Sequence, residues 1–276
     1  MISSPMTAAP SQGNNPSGRK PIYLPTVSPE HGVILVLLGA LLTGASLAQT
    51  WTWETTLACL AAFLGLQAEH PFIVQLKRRR KWKPRYALWA SVYGGSAMAI
   101  GAYLTYRHPV LVWICGATAV AIAIDVIAVL KRQQKAIATE ILMFGAICMA
   151  TLFVYGANTD TITLQALGLW LLNTCFFASA VFTIKLRKAR TSSLTGSLVF
   201  HGVAIALTGT LYYAGWLSLW TALTLAVVLL KLAIVIVFRD WYCTCHFGHI
   251  ARFETYFALT YTALACLTVL PEYLPA

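Results

Sequence analysis

The sequence predicts an all-α, polytopic transmembrane helical bundle, and two observations carry that prediction. Hydrophobic residues make up 58% of the 276 residues and charged residues only 11%, and the mean hydropathy is +0.70. This balance lies outside the range of soluble domains. The apolar residues also come in repeated runs of about twenty, which is the length that a helix needs to cross a bilayer core. We therefore expect membrane-spanning helices.

Nine candidate spans follow from these apolar runs. They cover residues 31–49, 54–75, 86–106, 109–130, 136–156, 162–184, 194–214, 217–238 and 254–271. Residues 1–28 are different, since they are rich in Ser, Pro, Gly and Asn and cannot bury enough apolar surface to fold. We predict a disordered cytoplasmic tail over 1–28 and a single transmembrane helical domain over 29–276.

The connections between the predicted spans alternate between basic and nearly neutral. The loop after the second span contains Lys77, Arg78, Arg79, Arg80, Lys81 and Lys83, and three later loops of the same set are also basic. Beyond the tail, Arg107 is the one basic residue in a loop of the opposite set, and Lys231 lies within a span. The positive-inside rule then places the N-terminus in the cytoplasm and, with nine spans, the C-terminus outside. We expect a bacterial inner (plasma) membrane.

The net charge of +11 is explained by this orientation. The six basic residues of 77–83 are expected to contact anionic lipid headgroups, each contributing about 1 kcal/mol near the surface. No nucleic-acid partner is expected, because the charge follows the loops on one side of the bilayer.

Ionisable residues inside the spans are the main functional lead, because each costs roughly 2.5 to 3.5 kcal/mol at a helix centre. Asp125 and Glu140 are expected roughly 8 to 9 Å below the cytoplasmic interface on adjacent antiparallel helices, where they are predicted to share one site. Glu69 and His70 precede Pro71, which is predicted to hold His70 extended and to kink or end the second span.

These residues are predicted to form one polar layer facing the cytoplasm. Its members are His31, Glu69, His70, Asp125, Glu140, His201 and Lys231. A partly hydrated, ligand-binding cleft is one interpretation of the layer. The alternative is structural: Lys231 pairs with Asp125 or Glu140, and the remaining groups reach toward the interface.

The last basic loop contains Cys243, Cys245, His246 and His249 within seven residues. Zinc accepts such ligands, so a metal site is one hypothesis. The competing interpretation is structural, because the spacing matches no familiar pattern of paired ligands from two segments. The sequence leaves the cofactor unknown.

Several short motifs resemble the YwiC-like integral membrane proteins of bacteria. They are Pro29-Glu30-His31-Gly32, His70-Pro71 before the basic loop, Arg132 with Glu140, His201, and Gly248-His249-Ile250 with Glu254. The resemblance implies a membrane protein and no established reaction. The topology is also similar to that of the UbiA superfamily of intramembrane prenyltransferases, but the chain has no Asp-x-x-x-Asp motif to hold Mg²⁺ on a diphosphate. Prenyl transfer is therefore disfavoured.

Three functional hypotheses remain open at this point. In the first, the polar layer binds an amphipathic small molecule such as an isoprenoid, a quinone or a lipid, with Glu140 or Asp125 as proton acceptor and Lys231 stabilising negative charge. In the second, the same groups serve a proton-coupled small-molecule transporter. In the third, the protein is a structural or assembly factor of a membrane complex.

Overall fold

A computed structural model describes residues 24–26, 31–77, 83–187 and 193–270, and the regular structure in these ranges is entirely helical. Its helices, in chain order, are α1 (His31–Ala48), α2 (Trp53–Lys77), α3 (Pro84–Arg107), α4 (Leu111–Leu130), α5 (Ile137–Cys148), α6 (Ala150–Thr159), α7 (Leu164–Lys185), α8 (Leu194–Tyr213), α9 (Leu219–Leu223), α10 (Ala226–Val237), α11 (Arg239–Thr244) and α12 (Phe247–Val269). The predicted all-α bundle is confirmed.

Every predicted span coincides with one helix or with two successive helices. The fifth span divides at Met149 into α5 and α6, and the eighth divides at residues 224–225 into α9 and α10. Within the described ranges, six helical stretches are long and apolar enough to cross a membrane, and α1 is a shorter apolar helix. The count of nine spans and the two sides assigned to the termini stay predictions.

Polar side chains cap several helix starts and so fix where the spans begin. The side-chain oxygen of Thr163 accepts a hydrogen bond from the backbone N–H of Ala166 at the start of α7. Ser193 does the same for Gly196 in α8. Such caps satisfy backbone donors that a helix end leaves without intrahelical partners.

The core lies around α1 and α7. Helix α1 packs against α6, α7 and α12, and at Gly44 an added Cβ would overlap the backbone carbonyl of Thr151 in α6. Small residues allow helix backbones to approach this closely in membranes, where van der Waals packing drives association. Helix α7 buries much of its length, from Ala166 to Thr183.

Helix α2 corrects the prediction made at Pro71. The helix continues through this proline to Lys77, and His70 is helical rather than extended. A proline within a helix removes one backbone hydrogen bond and costs about 3 kcal/mol, which neighbouring helices in a bundle offset by packing around it. The extra turns of α2 keep Glu69, His70 and Lys77 on one continuous helix.

The start of the last helix is also corrected. The sequence places the last span from residue 254, whereas α12 begins at Phe247, after His246 has accepted a hydrogen bond from the Gly248 N–H through Nδ1. Glu254 therefore lies seven residues inside the helix, roughly 10 Å along its axis. This position takes its carboxylate away from the helix end and into the bundle.

Most of the predicted tail and Arg78, Arg79, Arg80 and Lys81 of the basic loop lie outside the described residues. Residues 24–26 of that tail are described, and α3 holds them. Arg85 donates from Nε to the Leu24 carbonyl at 2.7 Å and from a terminal nitrogen to the Pro25 carbonyl at 2.9 Å. Thr26 is buried beside them.

Candidate functional site

A buried ion pair lies where α7, α10, α11 and α12 meet. The Lys231 Nζ is 3.0 Å from Glu254 Oε2, and the lysine side chain is only 2% exposed. The same ammonium donates a hydrogen bond to Ser179 Oγ at 2.9 Å. The sequence-based alternative that paired Lys231 with Asp125 or Glu140 is therefore wrong about the partner, because the depth of Glu254 in α12 was underestimated.

The second oxygen of the carboxylate is also held by hydrogen bonds. Glu254 Oε1 accepts from Thr183 Oγ1 at 3.0 Å and from the Tyr242 hydroxyl at 3.2 Å. Burial, together with the neighbouring Glu254, raises the pKa of the Tyr242 hydroxyl well above its usual range, so this group remains a donor. We call these five residues, Ser179, Thr183, Lys231, Tyr242 and Glu254, the Lys231 cluster.

The Lys231 cluster is neutral overall, with both of its charges paired. A buried charge is tolerated only when it is paired and hydrogen-bonded. Here the carboxylate takes three donors and the ammonium two acceptors, all from four different helices. The arrangement joins these helices and leaves the groups satisfied without a ligand.

Aromatic rings extend this polar region toward the middle of the bundle. The Phe176 ring lies 5.5 Å from Lys231 Nζ and stacks on the Tyr261 ring with centroids 3.7 Å apart. The hydroxyl of Tyr261 then donates to Asn173 Oδ1 at 2.8 Å. The stacked rings therefore connect the Lys231 cluster to Asn173, which lies farther along α7 toward its start.

A second buried network surrounds Asn173. Its amide nitrogen donates to Thr43 Oγ1 at 2.8 Å and to Thr151 Oγ1 at 2.9 Å. The Thr151 hydroxyl donates in turn to the Ala40 carbonyl in α1 at 3.0 Å. This network ties α1, α6, α7 and α12 together, which is a packing role.

His201 does not join the predicted layer as a ligand of the acids. Its Nδ1 lies 2.7 Å from the Ser197 carbonyl, one turn earlier in α8. Its Nε2 is buried with no hydrogen-bond partner among the described residues, as are Ser197 Oγ and Thr208 Oγ1 on the same helix. A buried polar atom left unpaired costs about 1 to 3 kcal/mol, so this face of α8 requires an explanation.

Glu140 forms ion pairs in which Asp125 takes no part, and a site shared by these two acids stays a prediction. Glu140 forms an ion pair with Lys185 of α7, and Lys135 lies 4.0 Å away. Asp125 is buried in α4 and takes no part in this ion pair. The carboxylate of Glu140 thus lies at the basic end of α7, where it pairs with Lys185.

A polar cleft opens beside the last turns of α2. Its volume is about 160 Å³. Its lining consists of Val33, Leu66, Glu69, His70, Ile73, Val74 and Lys77, and we call it the α2 cleft. A carboxylate, an imidazole and an ammonium thus share one small space with four aliphatic side chains. His31 begins α1 two residues before Val33, but its side chain lies outside the described residues.

The predicted metal site in the last basic loop is not found. Among the described residues, no three His, Cys, Asp or Glu side chains are grouped to hold a metal ion. His246 caps α12, and the Cys243 and Cys245 thiols point to the Leu186 and Tyr242 carbonyls at 3.8 and 3.9 Å. Each of these three side chains therefore has a local structural role.

Sequence reasoning did not assign a role to Glu254, Ser179, Thr183 or Tyr242. One signal was present for Glu254: it is the only acidic residue of the last predicted span, 23 positions after the buried Lys231. Serine, threonine and tyrosine give no such signal, because they are common in apolar helices and can satisfy themselves within one turn.

The comparisons with known proteins give one family. A model described as "YwiC-like protein" matches residues 27–155, which include α1, the α2 cleft and Glu140. The match confirms the resemblance over this part of the chain. Neither the curated proteins nor the solved structures contain a match to the chain. His201 and the Lys231 cluster lie beyond the matched segment.

Proposed function

We propose that this chain, a YwiC-like multi-pass membrane protein, binds a small amphipathic molecule such as an isoprenoid, a quinone or a lipid in the α2 cleft. The observation that carries the proposal is the lining of the cleft, where Glu69, His70 and Lys77 share one space with aliphatic side chains. Ligand sites typically combine an apolar wall with a few convergent polar groups.

The size of the cleft favours a headgroup over a whole ligand. Pockets that enclose a drug-sized molecule measure about 300 to 1,000 Å³, and the α2 cleft measures about 160 Å³. A polar head therefore fits inside, while the apolar remainder stays outside among lipid tails and helix surfaces. This division matches an amphipathic ligand.

The charge near the cleft favours a head that accepts hydrogen bonds. Lys77 lines the cleft and is the first residue of the basic run that ends at Lys83. In the bacterial inner membrane, with the N-terminus in the cytoplasm, this run contacts anionic lipid headgroups and raises their concentration at the cleft. His70 and Glu69 then accept or donate hydrogen bonds to the bound head.

The Lys231 cluster is a poorer candidate for the ligand site than the α2 cleft, because its charged groups already have protein partners. Its ammonium and carboxylate are already satisfied by Ser179, Thr183 and Tyr242, so a ligand would have to displace protein partners. Proton-coupled transport is the second candidate, and the unpaired polar atoms of α8 are the observation that favours it.

The test is mass spectrometry of the molecules that co-purify with the protein in a mild detergent. Wild type is compared with Glu69→Gln and His70→Leu in the cleft. Glu54→Gln is the matched control, because it makes the same change at the opposite end of α2, where Glu54 faces Arg107 at 3.8 Å.

We expect one defined amphipathic compound to be enriched in wild type and in Glu54→Gln, and to be lost from both cleft variants. Equal amounts of bulk phospholipid in all four preparations would refute binding in the cleft. Circular dichroism of each preparation checks that the variants remain helical.

A further inference from the structure

An apolar groove lies between α2 and α3, near the start of α2, whereas the α2 cleft lies at its last turns. The volume of the groove is about 420 Å³, and its lining consists of Trp53, Leu57, Ala99, Ile100 and Tyr103. Leu57 and Ile100 are half-buried and pack against the core, so they form the floor. Trp53, Ala99 and Tyr103 are exposed and form the walls. The groove is therefore open along one side.

An ion pair lies directly beyond one end of this groove. Glu54 follows Trp53 in α2, and Arg107 lies one turn beyond Tyr103 in α3. The Arg107 guanidinium is 3.8 Å from Glu54 Oε1, and the two side chains are 55% and 19% exposed. Because 3.8 Å is longer than a hydrogen bond, this contact occupies none of the N–H donors of Arg107. Both charged groups can therefore take a further partner.

Aromatic side chains indicate the depth of this end of the groove in a bilayer. Trp51, Trp53 and Tyr106 are 61%, 60% and 86% exposed, and Trp and Tyr are enriched where a membrane meets water. Tyr103 and Arg107 are four residues apart, which is roughly 6 Å along α3. The polar layer on each side of a bilayer core is roughly 5 to 8 Å thick. With the ion pair among headgroups, the groove lies at the depth of lipid chains.

We propose that this groove binds one phospholipid with an ethanolamine headgroup. An acyl chain lies between Trp53 and Tyr103, and the headgroup lies on the ion pair. The phosphate accepts hydrogen bonds from Arg107, because the planar guanidinium matches phosphate geometry. The ammonium of the headgroup donates to the Glu54 carboxylate, which only accepts.

The two opposite charges decide which headgroup fits. Arg107 alone would favour an anionic lipid, but Glu54 is 3.8 Å away and repels a further negative charge. A zwitterionic headgroup presents one charge of each sign and so complements both residues. A choline headgroup carries the same two charges, but its quaternary nitrogen has no N–H to donate to Glu54. Ethanolamine therefore satisfies both residues, whereas glycerol and choline headgroups satisfy one.

This site is separate from the α2 cleft and does not rest on ligand binding there. In the orientation predicted from the basic loops, the groove faces the outer leaflet and the cleft faces the cytoplasmic leaflet. Glu54→Gln is therefore expected to weaken retention of the ethanolamine phospholipid without changing the compound that the α2 cleft holds. The two sites are distinguished by which compound each variant loses.

The first test is a lipid titration of the delipidated full-length protein in detergent, followed by native mass spectrometry. The probes are phosphatidylethanolamine, phosphatidylcholine and phosphatidylglycerol with identical acyl chains. Wild type is expected to bind phosphatidylethanolamine about two- to five-fold more tightly than the other two, which is the effect of a partly exposed ion pair. Equal affinity for the ethanolamine and choline lipids, or tightest binding of phosphatidylglycerol, would overturn the proposal.

The second test changes the two charged residues one at a time. Glu54→Gln is expected to remove the preference for ethanolamine over choline, and Arg107→Gln is expected to weaken binding of both lipids. Asp160→Asn is the matched control, because this acid is 55% exposed and faces His108 instead of the groove. It is expected to bind lipids as wild type does. A preference that survives Glu54→Gln, or that disappears equally in Asp160→Asn, would refute the proposed headgroup contacts.

The third test asks whether an acyl chain occupies the groove. Ala99→Phe fills the groove and is expected to reduce phosphatidylethanolamine binding. The matched control is Ala102→Phe, because Ala102 is also an exposed alanine of α3 but does not line the groove. Equal binding in both variants would show that the lipid lies elsewhere.

The same spectra report the oligomeric state of each variant. A dimer that is present in wild type and lost only in Ala99→Phe would show that a second copy of the chain covers the groove, and the proposal would fail. Circular dichroism checks that each variant is helical. If Ala99→Phe does not fold, Arg107→Gln still decides the outcome, since the Arg107 side chain is exposed and its replacement leaves the packing of α3 unchanged.

Discussion

The ammonium of Lys231 in α10 lies 3.0 Å from the carboxylate of Glu254 in α12. Tyr242 reaches the same carboxylate from α11, the short helix between them. The two members of this buried ion pair are 23 positions apart in the chain. Because the Lys231 side chain is only 2% exposed, its ammonium depends on this carboxylate for a counter-charge.

The first prediction concerns this dependence. Lys231→Met or Glu254→Gln alone leaves a buried group without its partner, so each is expected to lower the free energy of unfolding by about 3 to 5 kcal/mol. The double variant removes both charges and is expected to recover much of that loss. The measurement is an unfolding titration with SDS in mixed micelles.

Additive losses in the double variant would contradict the pairing of these two residues. A double-mutant cycle isolates the interaction because neighbouring residues are the ones whose effects fail to add. Tyr242→Phe is a useful third variant, since it removes one donor to Glu254 Oε1 without altering either charge.

The second prediction separates Glu140 from this cluster. Glu140 and Lys185 are 20% and 15% exposed, so water still reaches the pair, and Glu140→Gln is expected to cost about 1 kcal/mol. Lys135 is 89% exposed at 4.0 Å from Glu140, so Lys135→Ala is expected to have no measurable effect. Both are measured by the same titration, and a Glu140→Gln loss as large as that of Glu254→Gln would refute this ranking.

The third prediction uses two glycines with opposite surroundings. At Gly44 an added methyl would overlap the Thr151 backbone, whereas at Gly209 nothing lies within 4 Å of an added Cβ. Gly44→Ala is expected to destabilise the bundle by about 1 to 3 kcal/mol through overpacking. Gly209→Ala is expected to stabilise α8 by up to about 1 kcal/mol, because alanine favours the helical backbone. Thermal unfolding midpoints that move in the same direction would contradict the close contact of α1 with α6.

The fourth prediction tests the side of the membrane on which the loops lie. Lys135 belongs to a predicted cytoplasmic loop and Arg107 to the opposite set, and both are well exposed in the structure. In a background without the seven native cysteines, Arg107→Cys is expected to react with an impermeant maleimide in intact cells. Lys135→Cys is expected to react only after lysis. The reverse pattern would invert the predicted orientation.

The sequence by itself determined the class of protein and the position of its helices along the chain. Apolar runs of about twenty residues require backbone hydrogen bonds to be satisfied within each segment, and this leaves the helix as the natural structure in a bilayer. The sequence also located the ionisable groups that are costly to bury inside spans, namely Glu69, His70, Asp125, Glu140, His201 and Lys231. Its motifs indicated a resemblance to the YwiC-like family, whose model matches residues 27–155.

Only the tertiary structure decided which of these groups meet. Residues at one depth stand on different faces of different helices, and periodicity does not say how each helix is rotated or which helices are neighbours. In the structure Glu140 pairs with Lys185, and Lys231 pairs with Glu254. The sequence had instead favoured a site shared by Asp125 and Glu140. The packing and rotation of the helices decide which side chains become partners, and this is a property of the whole fold.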